Sequence, residues 1–198
     1  MSFRIEEKLL IKKDSLIDFK KFILEKNAKK IYPKRIIKSL YFDNNQHQMY
    51  YDSVEGLVPR KKIRIRCYPN DKRLNYFYEL KISSPEGRFK KRKIIDELEY
   101  SKIQKNGIFD NEYGLCKPVL FVCYEREYYL VDNIRISIDL DINYHSFRGG
   151  FLGNDNNCAV ELKADFYMDK NILSNLFPFQ RTRFSKYCNG LEKILGPF

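Results

Sequence analysis

Apolar and charged residues alternate along much of this chain. Residues 62–67 read Lys62, Ile63, Arg64, Ile65, Arg66, Cys67, a cation at every second position with an apolar residue between. The same period of two recurs in 78–82, where Glu79 and Lys81 oppose Tyr78, Leu80 and Ile82. It recurs in 134–140, where Arg135, Ser137 and Asp139 oppose Ile134, Ile136, Ile138 and Leu140, and in 160–164, where Glu161 and Lys163 oppose Val160, Leu162 and Ala164. A period of two is the mark of a strand, because successive side chains point to opposite faces of a sheet. The pattern predicts strands over 3–11, 38–43, 60–68, 75–82, 88–95, 119–130, 133–141 and 158–166.

Helical signals are fewer. Leu16, Phe19, Phe22 and Ile23 fall on one face of a helix over 15–27, with Asp14 or Ser15 as its cap. Shorter helices are predicted over 45–52, over 97–105 after the capping Asp96, and over 185–195, where Leu191, Ile194 and Leu195 form the apolar side. Residues 70–72, 84–87 and 149–156 read as turns or loops. No Ser/Gly linker or repeat divides the chain, so one domain over 1–198 is expected. The class is α+β, built on a largely antiparallel sheet.

Antiparallel sheets commonly wet one face, and charges there need no function. Here the polar positions are almost all Lys, Arg, Glu or Asp, with few of the Ser, Thr, Asn or Gln that a merely solvated face would mix in. A carboxylate also stands two residues before a lysine three times over: Glu6/Lys8, Glu79/Lys81 and Glu161/Lys163. Segment 122–128 adds Tyr124, Arg126 and Tyr128 on one face. A curved sheet gathers such faces into one cavity. Its cations suit an extended phosphate chain, and its carboxylates a divalent cation. The apolar faces then point outward, where the helices can cover them.

Composition narrows the partners. The 198 residues carry 37 Lys and Arg against 26 Asp and Glu, a net charge of +11, and 43% are hydrophobic. That suits a folded, soluble protein that meets a polyanion. No run approaches the roughly 18 apolar residues of a membrane span, and the charged start Arg4-Ile5-Glu6-Glu7-Lys8 is unlike a signal peptide. A cytoplasmic protein with no membrane segment of its own is expected, and any membrane-protein partner is unknown. The five cysteines (Cys67, Cys116, Cys123, Cys158, Cys188) form no CxxC pair and read as reduced thiols. His47 and His145 stand outside any metal-binding motif. Nucleic acid is disfavoured, because the cations alternate within strands beside carboxylates that repel a phosphate backbone, and no nucleic-acid motif is present.

The ordered motifs resemble the VTC (vacuolar transporter chaperone) catalytic domain, the polyphosphate polymerase branch of the triphosphate tunnel metalloenzymes. The resemblance runs through Arg4-Ile5-Glu6-Glu7-Lys8, Ser39-Leu40-Tyr41-Phe42-Asp43, Tyr50-Tyr51-Asp52, Lys62 to Tyr68, Glu79-Leu80-Lys81 and Lys90-Lys91-Arg92. It continues in Tyr124-Glu125-Arg126, Arg135-Ile136-Ser137-Ile138-Asp139, Val160-Glu161-Leu162-Lys163 and Ser185-Lys186-Tyr187-Cys188-Asn189-Gly190-Leu191. It implies an antiparallel β-barrel tunnel with a basic lumen and helices packed outside. It also implies that Lys8, Arg64, Arg66, Lys81, Arg126 and Arg135 hold the triphosphate. Ser185 and Lys186 match a phosphate contact, and Glu161 matches the metal-binding glutamate. Arg4, Tyr124, Lys163 and one of Lys91 or Arg92, here Lys91, are further phosphate-binding candidates. Glu6, Glu79 and Asp139 are further candidate ligands for Mn²⁺ or Mg²⁺, or simply partners of neighbouring cations. Related hydrolases begin E-x-E-x-K; here Arg4 takes the first acidic position, which exchanges a metal ligand for a phosphate contact and favours the polymerase branch.

The expected activity is transfer of the ATP γ-phosphate onto polyphosphate or orthophosphate, with ADP leaving. A triphosphatase acting on inorganic triphosphate or a nucleotide, and a non-catalytic polyphosphate- or nucleotide-binding module, are the alternatives.

Overall fold

The computed structural model describes residues 4–196, without the side chains of Arg4 and Lys170. In chain order the elements are β1 (Arg4–Lys12), α1 (Leu16–Glu25), β2 (Lys29–Asp43), α2 (Gln48–Glu55), β3 (Arg60–Cys67), β4 (Tyr76–Ser84), β5 (Gly87–Ile95) and α3 (Glu97–Asn106). They continue with β6 (Ile108–Asp110), β7 (Gly114–Val131), β8 (Ile134–Ser146), β9 (Phe151–Asn154), β10 (Asn157–Asp165), α4 (Lys170–Leu176) and α5 (Lys186–Leu195). The sheet runs β1-β10-β8-β7-β2-β3-β4-β5, with β6 paired to β7 and β9 to β8. The ladders whose register is defined are antiparallel. This is the α+β antiparallel class that the alternation predicts.

Every predicted strand forms. Phe3, the first residue of the predicted 3–11 strand, lies outside the described residues. The largest difference is β2, which starts at Lys29 rather than at 38. Its first eight residues are almost all exposed and include Pro33, so they carry no buried–exposed alternation to read. The short β6, β9 and α4 were not signalled; β9 lies inside the Gly-rich segment 149–156 that reads as a loop.

The chain forms two compact units, and β2, β7, β8 and β9 contribute residues to both. One comprises the chain before Ile36, Tyr124–Ile142 and Asn154–Phe184. In it Leu9, Ile11, Tyr129, Val131, the even positions Ile134 to Leu140 of β8, and Val160, Leu162 and Ala164 of β10 form one buried face. Phe19 and Ile23 of α1, Leu173 of α4 and Phe177 just after it pack in the same cluster. These two helices therefore cover the apolar face, as the pattern requires.

The second unit holds Ile36–Cys123, Asn143–Gly153 and the chain from Ser185 onward. Leu40, Phe42, Ile63 and Ile65 are buried on one side of its sheet. On that side Tyr100 of α3 stacks on Tyr76 of β4, their centroids 4.0 Å apart.

Helix α5 departs from expectation. Instead of covering the apolar face, its Tyr187 stacks on Tyr41 at 5.2 Å and donates its hydroxyl to Asp43. Both partners lie on the opposite side of β2 from Leu40 and Phe42, and Tyr41 is in register with Arg64 of β3. The reason is a buried carboxylate. Asp43 is fully buried and accepts from the backbone N–H groups of Asn44, Met49 and Tyr50 at 2.8 to 3.1 Å. The phenol of Tyr187 supplies its remaining donor. Burial raises the Asp43 pKa above the ordinary carboxylate value, and these hydrogen bonds offset that only in part. Close packing then fixes Gly190: a Cβ there would lie 2.5 Å from both Leu120 Cδ2 and Tyr144 Cδ1.

Candidate functional site

In the second unit the β3–β4 and β4–β5 registers build a cationic face. Arg64 stands opposite Glu79, Lys62 opposite Lys81 and Arg66 opposite Phe77. On the other side of β4, Glu79 faces Arg92 and Lys81 faces Lys90. The sheet thus collects Lys62, Arg64, Arg66, Lys81, Lys90 and Arg92 on one surface. β2 contributes Ser39 and Tyr41 beside Arg66 and Arg64.

Glu79 sits at the centre of this face with no solvent exposure. Arg64 donates to Oε2 through Nε at 2.7 Å, with its Nη2 at 2.5 Å. Lys90 Nζ lies 2.5 Å from Oε1 and Arg92 Nε 3.6 Å from it. Burial opposes ionisation, but Arg64, Arg66 and Lys90 outweigh it and hold the carboxyl far below its usual range. Glu79 is therefore an internal counter-ion surrounded by cations. Arg64 also donates to the Tyr41 hydroxyl at 3.0 Å and Arg66 to Ser39 Oγ at 3.3 Å. Burial raises the Tyr41 pKa, yet Arg64 and Arg66 more than compensate and lower it.

The choice of Lys91 is corrected here. It pairs with Leu80, on the apolar face of β4, whereas Lys90 and Arg92 share the Glu79 face. Strand parity settles this, and the run Lys90-Lys91-Arg92 carries no parity signal of its own because all three are cations.

Ser185 caps α5, its Oγ accepting from Cys188 N at 3.3 Å. It also accepts from Lys62 Nζ at 2.8 Å. Lys62 was visible in the alternation but did not enter the predicted site. Its signal was available: it is the first cation of the K-x-R-x-R strand. Lys186 follows at the helix start, near enough to influence the Tyr41 phenol.

In the first unit the opposite parity gives a second charged face. Glu6 pairs with Lys163 and Lys8 with Glu161 across β1–β10. Lys163 pairs with Arg135 and Glu161 with Ser137 across β10–β8. Lys163 Nζ lies 3.0 Å from Glu6 Oε1 and 3.5 Å from Glu161 Oε2, so one ammonium stands between two carboxylates. Arg126 binds Asp139 through two nitrogens, Nη2 to Oδ2 at 2.7 Å. Burial disfavours the guanidinium charge, but Asp139 holds it. Asp139 is thereby a partner of Arg126. Tyr124 is buried, with the Arg126 guanidinium 5.4 Å from its ring centre. Arg135 has no hydrogen-bond or ion partner among the described residues, and Lys8 donates to the Phe184 carbonyl at 2.6 Å. Arg4 opens β1 opposite Asp165, and its side chain is outside what the structure describes.

Among the described residues no cluster of three or more His, Cys, Asp or Glu forms a ready metal cage. The five cysteines are free. No helix of the described residues is long and apolar enough to cross a membrane.

Solved structures with this architecture include a proposed adenylate cyclase from Bacillus halodurans, 15% identical, with a TM-score of 0.60 over 93% of this chain and 94% of that one. A protein of Pyrococcus horikoshii is 17% identical, with a TM-score of 0.61 over 96% and 99%. A proposed adenylyl cyclase from Hippeastrum, described as having a dominant triphosphatase activity, is 14% identical, with a TM-score of 0.60 over 99% and 97%. At such identities the likeness establishes the fold, and the fold is of the class that the resemblance implied. The VTC domain model matches residues 3–195, and the chain belongs to the VTC domain family. A comparison with curated proteins finds no match.

Proposed function

We propose that this protein is a metal-dependent phosphotransferase, a polyphosphate polymerase that moves the γ-phosphate of ATP onto a polyphosphate or orthophosphate acceptor. The observation that carries the reading is the set of cations aligned around the buried Glu79. Burying several like charges is costly, and their persistence on one strand face suits a polyanionic ligand better than it suits stability. Family membership supports chemistry on phosphates.

In this reading Lys8, Arg64, Arg66, Lys81, Arg126 and Arg135 bind the phosphates, with Ser185 and Lys186 at the start of α5 as further contacts. Arg64 and Arg126 have their planes fixed by Glu79 and Asp139, so little reorientation is needed when phosphate oxygens arrive. Glu161 and Glu6 suit Mn²⁺ or Mg²⁺. Two carboxylates completed by substrate oxygens are the donor set these ions favour, and Lys163 lies between them, 3.0 Å from Glu6 and 3.5 Å from Glu161. The ion would offset phosphate charge as the chain of the acceptor attacks in line. No histidine or cysteine nucleophile is required, because phosphoryl transfer rests mainly on positioning and charge neutralisation.

A triphosphatase differs only in accepting water. The Hippeastrum neighbour's described activity favours this second reading. The test is to incubate the protein with ATP, Mn²⁺ and a short polyphosphate primer and follow the products by ³¹P NMR, with Glu161→Ala as control. Chain-internal phosphate resonances growing with ADP release support the polymerase. Orthophosphate alone supports the triphosphatase, and no turnover with saturable binding reduces the protein to a binding module.

A further inference from the structure

Lys62 differs from the other cations on its face. Arg64, Lys90 and Arg92 surround Glu79, and Arg66 also acts on its charge. The partners of Lys62 among the described residues are neutral. Its ammonium donates to Ser185 Oγ at 2.8 Å, lies 3.8 Å from Cys188 Sγ and sits 5.7 Å from the centre of the Tyr187 ring. The groups acting on it are cationic or weakly acidic: Arg60 on its own strand, Lys81 opposite on β4, Tyr41 on β2, and Tyr187 and Cys188 on α5. The nearby carboxylates are engaged elsewhere, Asp43 by Tyr187 and Glu79 by Arg64. A partly buried lysine with no counter-ion is costly unless something outside the chain supplies the negative charge.

We propose that Lys62, held by Ser185 at the start of α5, is a further phosphate-binding residue, and that it takes up a proton when the phosphate chain binds. This inference rests on the proposed function. Its geometry is that of an amine aimed at the capped helix start, where backbone N–H groups also favour an anion. Burial lowers the ammonium's pKa below the ordinary 10.5, Arg60 adds to this, and Cys188 and Tyr41 counter it only in part. An arriving phosphate reverses the balance and raises it. At pH values below the depressed pKa, Lys62 is already charged and binding moves no proton there. Between the depressed and the raised value, binding draws a proton in, and affinity falls as pH rises through that window. The other phosphate contacts do not share this property where they are arginines, which stay charged throughout.

The experiment uses the full chain, inorganic tripolyphosphate as the probe, and no divalent cation, so that binding is read without turnover. Calorimetric titrations in buffers of different ionisation enthalpy give the protons taken up, on approach to pH 10.5. Lys62→Met keeps the bulk of the side chain and removes the charge; Lys62→Arg keeps the charge and removes the titration. Subtracting variant from wild type cancels the ligand's own protonation. The expected result is an affinity at least about 10-fold weaker in Lys62→Met, the scale of one charged hydrogen bond. Lys62→Arg should bind and lack the extra proton uptake. A purely structural lysine would leave the proton count unchanged. If Lys62→Met does not fold, Lys62→Arg decides alone: equal uptake in Lys62→Arg and wild type overturns the proposal. Wild-type affinity in a folded Lys62→Met also overturns it and leaves the phosphate site standing. No tripolyphosphate binding by the wild type overturns the functional reading beneath it.

Discussion

Replacing Glu79 by Gln removes one charge and almost no volume from the centre of the β3–β5 face. What remains is Arg64 with 11% of its side chain exposed, and Lys90 and Arg92 with about two-fifths exposed. The Arg64 pair is the buried one. Removing one member of a buried pair costs about 3–5 kcal/mol, because the other charge is left without a partner. Lys90 and Arg92 are screened by solvent and add only about 0–1 kcal/mol each. For a chain of this length each kcal/mol moves Tm by roughly 2–4 °C, so a total of about 3–7 kcal/mol should make Glu79→Gln melt about 6–28 °C below wild type at low salt. The pH dependence has a definite sign. The folded-state pKa of Glu79 lies below its unfolded value near 4.5, so its contribution is complete above that pH and is lost as pH falls through the folded value. The gap between variant and wild type should therefore narrow in acid. Tripolyphosphate should raise the Tm of Glu79→Gln more than that of wild type, because it restores the missing negative charge. Scanning calorimetry with and without tripolyphosphate reads all three effects. Equal Tm values for the two proteins at neutral pH and low salt, with equal shifts on adding tripolyphosphate, would refute the counter-ion role.

Three further outcomes are expected. Arg64→Ala and Glu161→Ala should each lower phosphoryl-transfer turnover by at least about 10²-fold, the scale of losing one key electrostatic group; wild-type rates in both would sink the site assignment. Tyr187→Phe leaves the stack on Tyr41 but withdraws a donor from buried Asp43, and urea denaturation should show a loss of about 1–3 kcal/mol. Gly190→Ala forces a methyl against Leu120 and Tyr144, and the same assay should show about 1–3 kcal/mol of destabilisation. A fully stable Gly190→Ala would mean that α5 shifts freely on its bed.

Strand existence was legible because period two is a local signal. Ile63 and Ile65 are buried where alternation puts them, and the Arg64–Glu79 pair follows once β3 and β4 are antiparallel neighbours. What escaped was information held in the pairing between strands. Lys91 could not be told from Lys90 or Arg92 until Leu80 was seen beside it. Glu79 and Asp139 carry the residue type of metal ligands, and their pairing with Arg64 and Arg126 across strands is not written in either segment. Helix α5 has an ordinary apolar side, but the buried Asp43 carboxylate that draws Tyr187 toward the charged face lies far away in sequence. Lys62 stands in plain view, and the role proposed for it depends on neighbouring carboxylates being taken by Tyr187 and Arg64, which no linear pattern records.

The internal ion pairs also set a threshold for entry. A free orthophosphate approaching Arg64 or Arg126 meets a guanidinium already satisfied by a carboxylate fixed at hydrogen-bond distance. It must compete as a separate molecule against a tethered rival. Linked phosphates compete differently: once one residue of the chain is held, the next arrives at a high effective concentration and can share the arginine or displace the carboxylate. In the proposed function, Arg64 and Arg126 would each favour a linked phosphate over a single one. Tripolyphosphate should accordingly bind the wild-type protein more tightly than orthophosphate does.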